Sequence, residues 1–338
     1  MRAIGYQTSL PISDPASLSD IELPRPEAAG RDLLVRVEAV SVNPVDTKVR
    51  MRAQPEAGQW KVLGWDAVGT VEEVGPEVTR FRTGDQVFYA GALGRPGTNA
   101  EFHLVDERIV GHKPATLSVA EAAALPLTAI TAWEALFDRL DVRKPVPGTA
   151  ESILIVGGAG GVGSIATQLA RQLTTLEVIT TASRPETAEW SRSLGAHHVL
   201  DHSKPLSAEL ARLELDQPSF VFSTTNTDDH LAEIAKLIAP QGRFALIDDP
   251  TSLDVLPFKQ KSVSTHWEFM FTRSMFGTAD IGAQGDLLEE VSRLVDAGTL
   301  RSTAAERFGI INAANLRRAH ALIESGRAKG KIVLEGWG

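Results

Sequence analysis

The run Ile153-Leu-Ile-Val-Gly-Gly-Ala-Gly-Gly-Val-Gly163, followed by the apolar stretch Ile165 to Leu173, limits the possible folds of this chain more than any other feature. It reads as a buried strand that turns sharply into a helix. Gly158 supplies the tight turn, Gly160 and Gly161 leave no side chain where a ligand approaches, Val162 follows, and Gly163 lets the helix pack close on its strand. The helix start then offers unpaired N–H groups and a positive dipole end, which suits the pyrophosphate of a dinucleotide. The same glycines also occur as a packing device, so the segments that follow decide the reading.

After Gly163 come the β-rich run Glu177 to Ser183, the helical stretch Pro185 to Leu194, the short run His198 to Asp201, a polar amphipathic stretch, and Pro218 to Thr224. Strands and helices alternating in this way predict a parallel sheet with right-handed crossovers, an α/β fold of the Rossmann doubly wound type. An acidic residue about 20 positions beyond the glycines accepts the ribose hydroxyls of NAD. Here that neighbourhood reads Ala182-Ser183-Arg184. The serine hydroxyl and the planar guanidinium suit the 2′-phosphate of NADP(H), although Ser183 also fits as a helix cap before Pro185.

Further along the cofactor, Ser223, Thr224 and Thr225 close the fourth sheet strand, where ligands of open α/β sheets collect. Asp248 ends the fifth strand and is expected beside the nicotinamide riboside, while Asn226 and Asp229 are placed as caps of the next helix. Lys331 is a candidate phosphate contact, with a solvated lysine as the alternative.

The first part of the chain has a different texture. Leu33 to Ser41, Gly69 to Gly75, Asp85 to Ala90 and Ala100 to Val105 are short strands separated by turn residues, which predicts a β-rich module. Ser118-Val-Ala-Glu121 is a capping box that opens a helix, and a second helix starts near Thr128. The expected division is 1–125 with 296–338 as the β-rich catalytic domain, and 126–295 as the nucleotide-binding domain.

Beyond Gly242 to Asp248, the run Lys261 to Phe271 alternates, with Val263, Thr265, Trp267, Phe269 and Phe271 on one face. It predicts a sixth strand at a sheet edge. So apolar an edge is an aggregation hazard unless covered, and pairing with a second copy of the chain covers it, which predicts a homodimer, with a plain buried edge strand as the alternative.

Composition narrows the function classes. The formal net charge of −9 and the lack of a Lys/Arg cluster argue against a nucleic-acid footprint. No apolar run reaches the roughly 18 residues that span a bilayer, and no charged-then-apolar leader opens the chain, so a cytoplasmic protein without membrane contact is expected. There is no cysteine, which removes every thiolate zinc site. None of the eight histidines shows a paired helical spacing, and His197, His198 and His202 read as a polar turn rather than as ligands. No metal site is predicted.

The blocks Ser41-Val-Asn-Pro-Val-Asp46, Gly64-Trp-Asp-Ala-Val-Gly-Thr-Val-Glu-Glu-Val-Gly75, Ala124 to Trp133, His266 to Phe276 and the closing Gly330-Lys-Ile-Val-Leu334, together with the glycine turn, resemble the medium-chain dehydrogenase/reductase superfamily. Within it the chain is similar to the zinc-type alcohol dehydrogenase-like proteins, close to the quinone oxidoreductases. The resemblance covers the whole chain and implies a GroES-like catalytic domain beside the Rossmann unit. It also marks a departure. In zinc-using relatives a cysteine stands at Asn43 and a Gly-His-Glu block at Gly64-Trp65-Asp66, and the structural zinc lobe has no counterpart here.

The resemblance therefore implies a zinc-free, NADPH-dependent reductase of quinones or α,β-unsaturated carbonyls. Negative charge that builds on a carbonyl oxygen in such a reaction needs a hydrogen-bond donor. The Asn43 amide is the first candidate, with an Asn-Pro turn as the alternative, and Thr128 and Thr131 are either supports near the nicotinamide or helix-cap and core-packing residues. Asp46 either relays a proton or is a hydrogen-bonded structural carboxylate, and Trp65 either walls the space of the absent metal or belongs to the core. Two other readings stay open at this point: a non-catalytic NADPH-binding redox sensor or scaffold, and a true zinc alcohol dehydrogenase.

Overall fold

The computed structural model describes residues 1–338. Chain contacts divide it into two compact units, Met1–Ile130 with Phe271–Gly338, and Thr131–Met270.

The first unit opens with β1 (Arg2–Tyr6), β2 (Ser19–Glu22), β3 (Asp32–Val42), helix α1 (Pro44–Arg52), β4 (Lys61–Val62), β5 (Ala67–Val74), β6 (Gln86–Tyr89), β7 (Phe102–Asp106) and β8 (Val110–His112). Helices α2 (Val119–Ala123) and α3 (Pro126–Trp133) follow, and the unit boundary falls inside α3. The eleven-residue β3 is the spine of the unit's larger sheet. It buries Leu33, Leu34, Val35, Val37, Ala39 and Val40, and its long apolar run leaves it in the sheet interior, antiparallel to β5 along one edge and to β7 along the other. The Ser118–Glu121 capping box forms as predicted, with Glu121 N–H donating to Ser118 Oγ and the Glu121 carboxylate accepting from Ser118 N–H.

The second unit is a single parallel sheet. Its elements are β9 (Ala150–Val156), α4 (Gly161–Leu173), β10 (Glu177–Thr181), α5 (Pro185–Ser193), β11 (His198–Leu200), α6 (Leu206–Arg212), β12 (Pro218–Ser223), α7 (Thr227–Leu237), β13 (Arg243–Leu246) and β14 (Ser264–Trp267). The strand order is β11-β10-β9-β12-β13-β14, so the chain winds outward from β9 in one direction and then from β12 in the other. Leu154, Val156, Ile179, Leu200, Val221, Phe244 and Leu246 are the sheet residues of the core cluster. Helix α4 turns Ile165, Ala166, Leu169 and Ala170 inward, the i, i+4 stripe the sequence displays.

The chain then returns to the first unit through α8 (Thr272–Phe276), α9 (Ala283–Asp296), β15 (Ala304–Arg307), α10 (Ala313–Glu324) and β16 (Lys331–Glu335). β16 lies antiparallel to the second half of β3, pairing Ile332 with Val42 and Leu334 with Val40.

Three expectations are corrected. The units divide at 130/131 and 270/271 rather than at 125/126 and 295/296, because α9 packs on β8 and on the turn before it: a Cβ on Gly285 would lie 2.6 Å from Arg108 O. The sixth strand is four residues long rather than eleven. Its one neighbour, β13, offers only Arg243–Leu246 as partners, after which Glu268, Met270 and Phe271 turn inward while Trp267 and Phe269 stay exposed. Finally, Val119–Arg139 is long and apolar enough to cross a membrane by composition, although Pro126 makes the sequence read as two shorter helices; 83% of its most apolar 18-residue stretch is buried in the protein, as expected of a core helix.

Candidate active site

The glycine turn joins β9 to α4, and its glycines do different things. Gly157, not Gly158, has the left-handed backbone, with φ of +82°, and its N–H donates to Thr181 Oγ1 at 3.0 Å. Gly158 is instead required by close approach, since a Cβ there would lie 2.5 Å from Thr180 Cβ. A Cβ on Gly163 would lie 2.2 Å from Gly157 O, so the helix sits directly on the turn. Gly160, the N-cap of α4, is different: a Cβ there would meet nothing nearer than Gly157 O at 3.4 Å. The chain's own packing does not require a glycine at 160. The space kept clear there, beside the first-turn N–H groups of Gly161, Val162 and Gly163, fits an anionic group held by a helix N-terminus.

At the carboxyl end of β10, Ser183 is exposed and Arg184 caps α5, its Nε 3.2 Å from Glu186 Oε1. No carboxylate ends this strand at Ala182, Ser183 or Arg184. Beside it stands His202, which sequence reasoning assigned to a polar turn. Its Nδ1 lies 2.9 Å from Thr181 Oγ1, and its ring centroid lies 6.0 Å from that of His230. Thr181 Oγ1 accepts from Gly157 N–H and is also in contact with His202 Nδ1, so one hydroxyl ties the glycine turn to the imidazole. Burial, then His230 and Arg184, hold this imidazole below its ordinary pKa and therefore neutral. No periodicity or spacing signals such a contact, because parallel pairing of β10 with β11 creates it.

On the other side of the turn, Thr224 Oγ1 donates to Val156 O at 2.8 Å and borders Gly157. Ser223 is buried, with Oγ 2.8 Å from Thr227 Oγ1, and Thr225 is exposed. Asp248 makes contacts within its own unit. Its carboxylate accepts from Thr227 N–H at 2.8 Å and from Thr227 Oγ1 at 2.5 Å, so it caps α7, the role foreseen for Asn226 or Asp229. Asn226 adopts a left-handed backbone without a side-chain cap bond.

In the first unit, three remote segments bring Asn43, Asp66 and Lys331 together. Lys331 is 3% exposed, and its ammonium donates to Val42 O at 3.0 Å, to Asp66 Oδ2 at 3.0 Å and to Asn43 Oδ1. The phosphate role foreseen for Lys331 is thereby overturned: pairing of β16 with β3 carries it into the interior, and all three of its hydrogens are spent. Asp66 Oδ2 also accepts from Ser41 Oγ at 2.9 Å and Asn43 Nδ2 at 2.7 Å, and its Oδ1 accepts from Leu127 N–H at the start of α3. A carboxylate this deeply buried persists because every oxygen is satisfied and a cation is in contact.

The same geometry corrects the reading of Asn43 as an oxyanion donor. Its amide gives one hydrogen to Asp66 and faces Ser41 O at 3.5 Å with the other. Asp46, on α1, accepts from Asn43 N–H at 2.7 Å through Oδ2, while Oδ1 has no partner. Burial raises its carboxyl to about 7 against the opposing Asn43 hydrogen bond and Lys331 charge. Trp65 is buried edge-on to Phe271, and its Nε1–H has no partner. Thr128 bonds back to Leu125 O at 3.1 Å and so is committed to its own helix. Thr131 is buried one turn further on.

Residues 29–115 match the alcohol dehydrogenase GroES-like domain family, and residues 194–334 match the zinc-binding dehydrogenase family. The chain is 40% identical over 338 residues to the zinc-type alcohol dehydrogenase-like protein SAS2087 of Staphylococcus aureus strain MSSA476, covering 99% of both. This chain belongs to the zinc-type alcohol dehydrogenase-like proteins. They lie within the medium-chain dehydrogenase/reductase superfamily, whose GroES-like and Rossmann parts this structure shows. A crystal structure of a Rhizobium etli CFN 42 protein assigned to the zinc-dependent alcohol dehydrogenases is 69% identical, covers 100% of this chain and 98% of that one, and superposes with a TM-score of 0.98. A quinone oxidoreductase of Pseudomonas syringae is 27% identical with a TM-score of 0.81, each chain 99% covered. A mycobacterial protein solved in complex with NADPH is also 27% identical with a TM-score of 0.81, over 99% of this chain and 100% of that one.

As a zinc-type alcohol dehydrogenase-like protein the chain is an oxidoreductase that uses a nicotinamide cofactor and a small-molecule substrate. The family name does not describe its donor set. No group of three or more His, Asp or Glu side chains is placed to hold a metal, the indole of Trp65 is no ligand, and Asn43 and Asp66 are occupied by the Lys331 ammonium. These residues do not fit a zinc ion.

Proposed function

We propose that the protein is a zinc-free, NADPH-dependent reductase of quinones or α,β-unsaturated carbonyls. The observation that carries the coenzyme choice is the end of β10, where Ser183 and Arg184 stand in place of an acidic residue. A carboxylate there would repel a 2′-phosphate, whereas a guanidinium pairs with it through two parallel N–H bonds. The N–H groups of Gly161, Val162 and Gly163 hold the pyrophosphate in the space that Gly160 keeps clear.

When bound, NADPH supplies hydride for the electron-poor carbon of the acceptor. The chain's own part is to stabilise the charge that builds on the acceptor's oxygen. With the amide of Asn43 spent, the unspent polar atoms among the candidate residues of the first unit are Trp65 Nε1–H and Asp46 Oδ1. A buried donor left without a partner calls for an explanation, and we assign Trp65 Nε1–H as the donor to that oxygen. Asp46 holds its proton at Oδ1 up to about neutral pH and is the proton source in this reading. Asn43 N–H holds Asp46 Oδ2, and Asp66 and Lys331 fix Asn43 in turn.

The exposed edge of β14, with Trp267 51% exposed and Phe269 beside it, supports pairing with a second copy of the chain. The function is tested by following NADPH oxidation with a panel of quinones and enals, with and without chelator. Turnover that the chelator leaves unchanged is expected. Tight NADPH binding without turnover on any acceptor would make the protein a sensor instead, and loss of activity with chelator would restore the zinc enzyme.

A further inference from the structure

Glu268 directly follows β14 and is 2% exposed, and Glu134, in the π-helical turn Glu134–Arg139 that continues α3, is equally buried. Arg139 Nε donates to Glu268 Oε2 at 2.8 Å. Glu268 Oε1 receives no N–H or O–H, and the carboxyl group that neighbours Glu268 within hydrogen-bonding reach is that of Glu134. Two ionised carboxylates are acceptors only, so a bond between them requires a proton on one. With one proton the pair carries a single negative charge, which Arg139 balances. With none, a second charge is buried uncompensated.

Burial and the Glu134 charge together lift Glu268 far above the ordinary carboxylate range, with Arg139 pulling the other way. The other charged groups on the elements packed here are Asp138, exposed on the same turn, Arg243 of β13, which donates to Leu140 O and Asp141 O, and His266 of β14, held low by burial and by the two arginines.

The pair's place in the sheet gives it a use. It lies at the carboxyl end of β14, the end where open α/β sheets bind ligands. In the strand order β14 is on the opposite side of β9 from β10, whose end carries Ser183 and Arg184. If those two residues hold the adenosine end, the nicotinamide half extends toward β12, β13 and β14. Thr131 precedes Glu134 by one helical turn, on the same face.

We propose that Glu134 and Glu268 share one proton and act as positioning residues for the nicotinamide half of the coenzyme, pinning the carboxyl end of β14 to the helical turn that follows Thr131. This rests on the reading that NADPH binds at this end of the sheet. The test compares NADPH dissociation constants of the full-length wild type, E268Q and E268A from about pH 6 to about pH 10. The amide introduced by E268Q donates to Glu134 without titrating, so wild type is expected to weaken by at least about tenfold between pH 8 and pH 10 while E268Q stays flat and E268A is weak throughout. Wild-type and E268Q profiles that superpose overturn the proposal. If wild type binds no NADPH at any pH, the coenzyme reading fails and the positioning role with it. The shared proton itself is then judged by melting temperature against pH, where a slope present in wild type and absent in E268Q retains it and identical slopes remove it.

Discussion

Lys331 Nζ stands 3.0 Å from Asp66 Oδ2, the two residues 265 positions apart in the chain and both side chains almost wholly buried. The pair is the one buried cation–carboxylate contact at the candidate site, and breaking it from either side leaves a charge without solvent. Lys331→Met is expected to destabilise the protein by about 3–5 kcal/mol in denaturant unfolding. The double variant K331M/D66N should lose clearly less than the sum of the two single changes, because it removes both charges.

Arg184→Ala should weaken NADPH by about ten- to a hundredfold, the range of a lost charge-assisted hydrogen bond, and leave NADH unchanged. Calorimetric titration with each coenzyme checks this. Equal weakening of the two would take the 2′-phosphate away from Arg184.

The glycines of the turn should separate by variant. Gly160→Val is expected to abolish coenzyme binding while the melting temperature stays close to wild type, since a Cβ at 160 meets no atom nearer than 3.4 Å. Gly163→Ala places a Cβ 2.2 Å from Gly157 O and should destabilise by about 1–3 kcal/mol, the usual result of overpacking. Coenzyme titration and thermal melts on the two proteins distinguish a ligand glycine from a packing glycine.

Trp65→Phe keeps an aromatic ring and removes the indole N–H. Loss of one donor to a developing oxyanion lowers kcat by about 10²–10³, so a large fall in kcat with coenzyme affinity unchanged is expected. An unaltered kcat would return Trp65 to core packing alone.

Asp46 makes stability depend on pH in a defined direction. Its carboxyl is raised to about 7 in the folded protein, so between its unfolded value and neutrality the native state holds a proton that the unfolded chain has lost. Stability is therefore full below about pH 4 for this group and falls as pH rises through about 7. Asp46→Asn should flatten the melting profile over that window.

The amino-acid order by itself determined what depends on neighbours along the chain. The glycine turn, the alternation of strands with amphipathic helices, the Ser118 capping box and the missing acid after β10 are local, and each is legible because a backbone conformation or a strand end admits few residue types. Even here locality has a limit, since the left-handed position is Gly157 rather than Gly158, and the distinction is set by where Thr180 and Thr181 of the next strand come to lie. Only the tertiary structure decided which polar atoms remain free. Asn43 has the composition of a donor, but the return of β16 along β3 delivers an ammonium to it and Asp66 takes its amide hydrogen. Asp248 has the position of a ribose contact, but α7 begins within its reach. Hydrogen-bonding capacity is written in residue type, whereas its consumption depends on segments remote in the chain, 21 residues apart for Thr227 and Asp248 and 265 positions apart for Asp66 and Lys331, that meet only when the chain folds.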